Sequence, residues 1–162
     1  MSRARKPGRI LLAEDDPRDV ELTLEALSRH NLGSKVDVVS NGEQALDYLY
    51  RRGAWERRSA GHPVVVLLDL KMPKVDGLEV LRQVKRDQSL QIIPVVVLTS
   101  SREERDVTAS YDLGGNAYVV KPIHFTEFVD TVAELGAFWG LLNESPPDGY
   151  RSAVPAPSPL RS

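Results

Sequence analysis

Residues Val64–Gly77, VVVLLDLKMPKVDG, constrain the fold more than any other stretch of the chain. Val64 to Leu68 is an unbroken apolar run that opens with β-branched side chains and shows no polar alternation. Such a run suits a strand covered on both faces, as in a parallel sheet packed between helices. It stops abruptly at Asp69. Open α/β sheets hold their ligands at the carboxyl ends of their strands, so this carboxylate stands where a ligand would be met. Met72-Pro73 takes the chain out of the sheet, because proline cannot continue a hydrogen-bond ladder. Asp76-Gly77 turns it, and Leu78, Leu81, Val84 and Lys85 take up helical spacing. Alone, Asp69 reads more readily as a turn-former. The other strand ends change that balance.

Four further strand-helix units flank this one. Ile10–Ala13 is a short apolar strand ending in Glu14-Asp15-Asp16, and Pro17 suits a first helical turn capped by Asp16. Val20, Leu24 and Leu27 mark the buried face of a helix running to about His30, ended by Leu32-Gly33. Lys35–Val39 reads as a strand, and Ser40-Asn41-Gly42 turns into a helix through Ala45, Leu46 and Leu49. Arg51–Pro63 (RRGAWERRSAGHP) reads as a polar surface connection whose arginines are solvated. A helix over Leu78–Asp87 precedes the strand Val95–Leu98, which ends in Thr99-Ser100-Ser101. Arg102–Leu113 is a helix opened by a serine cap and closed by Gly114-Gly115. Ala117–Val120 is the fifth strand, ending in Lys121-Pro122, and Thr126–Leu142 is the last helix. The pattern predicts a doubly wound, five-stranded parallel sheet with helices on both faces.

The chemistry-bearing residues fall at strand ends: Glu14-Asp15, Asp69, Thr99 and Lys121. In a parallel sheet these ends share one edge, so residues far apart in sequence converge. Two unit charges about 5 Å apart repel by roughly 3 kcal/mol at an effective dielectric near 20. Three carboxylates in one crevice therefore call for a cation, and an all-oxygen site with few protein ligands favours magnesium. Add the Lys121 ammonium and the Thr99 hydroxyl, and the crevice becomes a receptacle for a phosphoryl group's equatorial oxygens. Asp69 is then a nucleophile and the product an aspartyl phosphate. Taken singly, each piece reads as a helix cap, a turn or a solvated side chain; jointly they do not.

The segments ILLAEDDP, LLDLKMPKVDG, VVVLTS and AYVVKP, in this order and spacing, resemble the receiver domain of two-component response regulators from about Gly8 to Asn143. The resemblance implies a flavodoxin-like sheet of strand order 2-1-3-4-5. It implies that Glu14, Asp15 and Asp69 hold Mg²⁺, aided by the backbone carbonyl of Lys71. Asp69 would take its phosphate from a histidine kinase's phosphohistidine, and Lys121 and Thr99 would grip it. Tyr118 would be the aromatic switch that moves with Thr99, and the Lys121-Pro122 bond would be cis. Beyond its own phosphorylation and dephosphorylation, such a receiver is not an enzyme. DPRDVELTLEAL, ALDYLYRRGAW and FWGLLNE are further similar to the small regulators paired with bacterial phytochrome kinases, which makes a bacteriophytochrome the expected partner.

Composition narrows the alternatives. A chain of 162 residues suggests one domain, here 9–143, between a basic tail (1–8) and a proline-rich tail (144–162), both expected to be disordered. With no cysteine, thiol catalysis and thiolate metal sites are excluded. His30, His62 and His124 lack ligand spacing, so zinc is not expected. A net charge of −2 leaves no footprint for nucleic acid or an anionic membrane, and no apolar run suits a membrane span. A cytoplasmic address follows by default. Two other readings stay open. One is a Mg²⁺-dependent aspartyl-nucleophile phosphatase, which needs a second acid two residues past the nucleophile, where Lys71 stands. The other is a phosphorylation-independent interaction module. Nothing after Asn143 suits an output domain, so the signal is expected to leave through the receiver's own surface. In the last helix Phe125, Phe128, Val129, Val132, Leu135, Gly136 and Trp139 form a core-facing stripe. Phe138 and Leu141 fall off it and, beside Trp139, predict a homodimer contact.

Overall fold

The computed structural model describes residues 8–29, 32–59, 61–100, 111–115, 117–121 and 126–127. Strands β1 (Ile10–Ala13), β2 (Val36–Val39), β3 (Val65–Asp69), β4 (Val95–Thr99) and β5 (Ala117–Val120) form one parallel sheet in the order 2-1-3-4-5. This is the flavodoxin-like order expected. Alternate side chains along the strands go to opposite faces, so each run of apolar residues fills two cores at once. Leu11, Ala13, Val66, Leu68, Val95 and Val97 pack with α2 (Gly42–Tyr50) and α3 (Gly77–Arg86). Ile10, Leu12, Val65, Leu67, Val96 and Leu98 pack on the other face with Ala26 and Leu27 of α1 (Pro17–Ser28). Burying each such leucine or valine contributes about 2 kcal/mol, and β1, β3 and β4 carry no polar residue before their last position, whereas the edge strand β2 carries Asp37.

Helices α1, α2 and α3 start where the sequence supplies a cap. Asp16, Asn41 and Asp76 accept the backbone N–H groups of Arg18, Gln44 and Glu79 at 2.8, 2.8 and 2.9 Å. Each satisfies one donor that the first helical turn leaves orphaned. The β3–α3 loop folds tightly back: Gly77 N–H donates to Leu70 O at 2.8 Å. A Cβ on Gly77 would overlap the carbonyl oxygen of Asp69 and lie 2.7 Å from Leu70 Cα, so only glycine lets α3 start so close to the strand end.

Several boundaries differ from expectation. Asp69 belongs to the β3 ladder, opposite Leu98, and Val64 lies outside it. The α1 helix stops at Ser28, short of His30, and buries Thr23, Ala26 and Leu27, with Val20 and Leu24 only half-buried. Thr23 is accommodated because its hydroxyl donates to Asp19 O at 2.8 Å. Gly33–Lys35 forms a 3₁₀ turn ahead of β2, and α2 buries Tyr48 besides Ala45, Leu46 and Leu49.

The largest correction concerns Arg51–Pro63. This connection is organised by Arg58, which is half-buried rather than solvated. Its guanidinium donates to the carbonyls of Tyr48 (2.5 Å) and Leu49 (3.4 Å), and to those of Ser59 (3.0 Å) and Gly61 (2.8 Å), while lying 4.3 Å above the Tyr48 ring. The last carbonyls of α2 lack the i+4 donors of the helix interior; Tyr48 O accepts the Arg51 N–H at 3.2 Å, and Arg58 adds a charged donor to it and to Leu49 O. Tyr48 in turn donates to Asp37 at 2.7 Å, and Arg9 closes the network on the same carboxylate at 2.7 Å. Of the helices expected over Arg102–Leu113 and Thr126–Leu142, residues 111–112 and 126–127 are helical. Leu113 is a turn residue, and the rest of those two segments, the Lys121-Pro122 peptide, the proline-rich tail, most of the basic tail and Phe138, Trp139 and Leu141 lie outside the described residues.

Candidate acidic site at the carboxyl edge of the sheet

The strand register brings the expected residues together. Ala13 pairs with Leu68, which sets Glu14 level with Asp69, and Asp69 pairs with Leu98. Thr99 follows one step on, opposite Val120, and Lys121 follows Val120. Oxygens of Glu14, Asp15 and Asp69 all lie within 4.8 Å of one another. Glu14 and Asp69 are buried, at 2% and 5% exposure, whereas Asp15 faces solvent. Glu14 is drawn in by its own backbone, whose N–H donates to Val39 O at 3.0 Å.

Lys121 reaches into this cluster with its side chain only 10% exposed. Its Nζ donates to Glu14 Oε2 at 2.5 Å and to Asp19 Oδ2 at 2.8 Å, and stands 3.6 Å from Asp69 Oδ1. The other Glu14 oxygen accepts the Asp16 backbone N–H at 3.1 Å. Burial pushes the Asp69 carboxyl up to about 7, the Glu14 charge pushes the same way, and Lys121 offsets part of both. Burial alone would lower the Lys121 ammonium, but its bonds to Asp19 and Glu14 and the neighbouring negative charges raise it overall. The cluster is thus short of positive charge, and its donors are all oxygen. That combination fits a hard divalent cation such as Mg²⁺.

The remaining expected residues have these places. Thr99 ends β4 one register step beyond Asp69, and its side chain is not among those described. Tyr118 sits on β5 opposite Val97, half-buried against the core that also holds α2 and α3. Lys71 is exposed in the loop two residues past Asp69. Asp19 was not foreseen. An acid in the first turn of a helix has an ordinary electrostatic reason to be there, and that reason concealed it. Its spacing from Asp16 gave the one available signal, since the first turn of α1 faces the strand ends. The cavity of about 490 Å³ lined by Arg9, Asp37, Tyr48, Trp55 and Arg58 lies at the opposite, amino-terminal edge of the sheet and is separate from these carboxylates. No helix among the described residues is long and apolar enough to cross a membrane.

Residues 10–133 match the response regulator receiver domain family. Among curated proteins, the probable methanogenesis regulatory protein FilR2 of Methanothrix harundinacea is 40% identical over 143 residues, covering 88% of this chain and 90% of that protein. Response regulator Rcp1 of Synechocystis sp. is 38% identical over 133 residues, covering 82% and 89%. Among solved structures, the bacteriophytochrome response regulator RtBRR is 59% identical with a TM-score of 0.77, covering 88% of this chain and 86% of that one. The Mn(2+)-bound form of Rcp1 is 36% identical with a TM-score of 0.70, covering 87% and 100%.

Proposed function

Because this chain belongs to the response regulator receiver family and is related to phytochrome response regulators, we propose that it accepts a phosphoryl group from a histidine kinase onto Asp69. The observation that carries this reading is the position of Asp69: a buried carboxylate ending a central strand, beside two further acids and 3.6 Å from an ammonium. An Asp69 oxygen attacks phosphorus in line with the phosphohistidine nitrogen. The P–O bond forms as the P–N bond breaks, and the imidazole leaves with the electron pair and takes up a proton.

Lys121 is placed to follow the new charge, because its Nζ already lies at the edge of hydrogen-bond reach of Asp69. Thr99 ends the adjacent strand, and its hydroxyl is the proposed second donor to the phosphoryl group. Glu14, Asp15 and Asp69, with the Lys71 carbonyl, would hold Mg²⁺, which when bound neutralises the crowded carboxylates and the charge on the phosphoryl oxygens. The naming of RtBRR as a bacteriophytochrome response regulator supports a phytochrome-linked kinase as the donor, and the Mn(2+)-bound form of Rcp1 supports a divalent cation. Tyr118, half-buried on β5, is the candidate for carrying the change to the receiver's own surface.

The test is phosphotransfer from a radiolabelled, autophosphorylated bacteriophytochrome kinase, with Mg²⁺ and with chelator. Label moving to this chain within seconds, only with Mg²⁺, and lost in alkali as an acyl phosphate supports the proposal. Label that stays on the kinase while acetyl phosphate also fails to modify the chain overturns it.

A further inference from the structure

We infer that Asp19 is a positioning residue for Lys121, taking the ammonium over from Glu14 when Glu14 turns to a divalent cation. The inference deepens the phosphoacceptor reading and rests on it. Lys121 is bound most closely by two carboxylates, Glu14 at 2.5 Å and Asp19 at 2.8 Å, with Asp69 farther away at 3.6 Å. Of these partners, Glu14 and Asp69 belong to the acidic trio and Asp19 does not. A cation held by the trio therefore claims two of the lysine's three carboxylates. An ammonium left on Glu14 would then share its partner with a like charge, which is costly in a crevice shielded from water.

Asp19 gives the lysine a place to remain. Its backbone is fixed by the helix start: Asp16 caps the turn, Pro17 presets it, and Thr23 Oγ1 donates to Asp19 O at 2.8 Å. Its side chain is a quarter exposed, so it is a partner that keeps its own solvation. Lys121 can release Glu14 without losing its charge partner and without leaving the neighbourhood of Asp69, where a phosphoryl oxygen would need it. With an amide at position 19 the ammonium has no anionic partner outside the trio among the described residues, and it competes with the cation for Glu14.

A double-mutant cycle read by calorimetric Mg²⁺ titration tests this. Asp19→Asn is measured in the full chain with Lys121 present, and again in the Lys121→Met background, with folding of every variant verified by circular dichroism. Lys121→Gln replaces Lys121→Met if the latter does not fold. The expected result is about tenfold weaker Mg²⁺ binding with Lys121 present and little change without it, within the range seen for directly contacting pairs. Asp19→Glu, which keeps the charge, should restore most of the affinity. A ratio of about threefold or more between the two losses supports the inference. Any smaller ratio overturns it, including an equal loss in both backgrounds, which is what a mere nearby charge produces, and no loss in either. A wild type that binds no Mg²⁺ overturns the phosphoacceptor reading and this inference together; one that binds Mg²⁺ but gives a flat cycle overturns this inference alone.

Discussion

Asp69→Asn should stabilise the metal-free protein, and do so more at pH 8 than at pH 5. Burial and the Glu14 charge lift the Asp69 carboxyl from its ordinary 3.8 to about 7. The folded chain thus holds that proton more tightly than the unfolded chain does. Its contribution to stability is fully present below about pH 4 and is lost as pH rises through about 7. Asparagine removes this dependence. Between pH 5 and the folded value of about 7, at roughly 1.36 kcal/mol per pH unit, the extra gain at pH 8 has a ceiling of about 2.7 kcal/mol. The Lys121 charge 3.6 Å away is already part of that folded value, so a difference of about 2–2.7 kcal/mol is expected. Urea unfolding in chelator at both pH values measures it, and taking the difference of differences cancels groups common to both proteins. Saturating Mg²⁺ should erase the advantage, since a ligand at 100 times its dissociation constant stabilises the wild type by about 2.7 kcal/mol. A mutant no more favoured at pH 8 than at pH 5 would refute the view that Asp69 is held in a crowded, poorly solvated site.

Gly77→Ala should cost more than about 2 kcal/mol in urea unfolding and weaken Mg²⁺ binding, because the added Cβ meets the backbone of Asp69 and Leu70; an unchanged midpoint would contradict the tight loop. Arg58→Ala should cost about 2 kcal/mol, since four carbonyls lose their charged donor, two of them at the end of α2. Its phosphotransfer rate should stay at the wild-type value, as Arg58 lies at the far edge of the sheet. Light scattering at several concentrations should find a homodimer that Phe138→Ala or Trp139→Ala weakens by about thirtyfold, the usual cost of removing an aromatic anchor. A wild type monomeric at high micromolar concentration would end that proposal.

Much of the fold was legible because the strands are covered on both faces. Runs such as Val64–Leu68 and Val95–Leu98 have no polar alternation, and only a parallel sheet between helices gives them a place. The convergence of Glu14, Asp15, Asp69 and Lys121 was legible for a topological reason, since parallel strands put all their carboxyl ends on one edge. Contacts made across elements were not legible. Arg58 reads as one arginine among several until the end of α2 is known to present its carbonyls there. Asp19 reads as an ordinary first-turn acid until Lys121 arrives from β5, 102 positions away in sequence. Gly77 was legible as a turn, but the reason it must be glycine is the Asp69 carbonyl it lies against.

The central claim is that Asp69 itself becomes the acyl phosphate. The most direct measurement incubates the chain with Mg²⁺ and acetyl phosphate, reduces the product with borohydride to trap the acyl phosphate as homoserine, and maps it by peptide mass spectrometry. The account predicts homoserine at position 69, absent without Mg²⁺ and absent in Asp69→Asn. Trapping at Glu14, Asp15 or Asp19 instead, or phosphate retained by Asp69→Asn with unchanged stability, would contradict it.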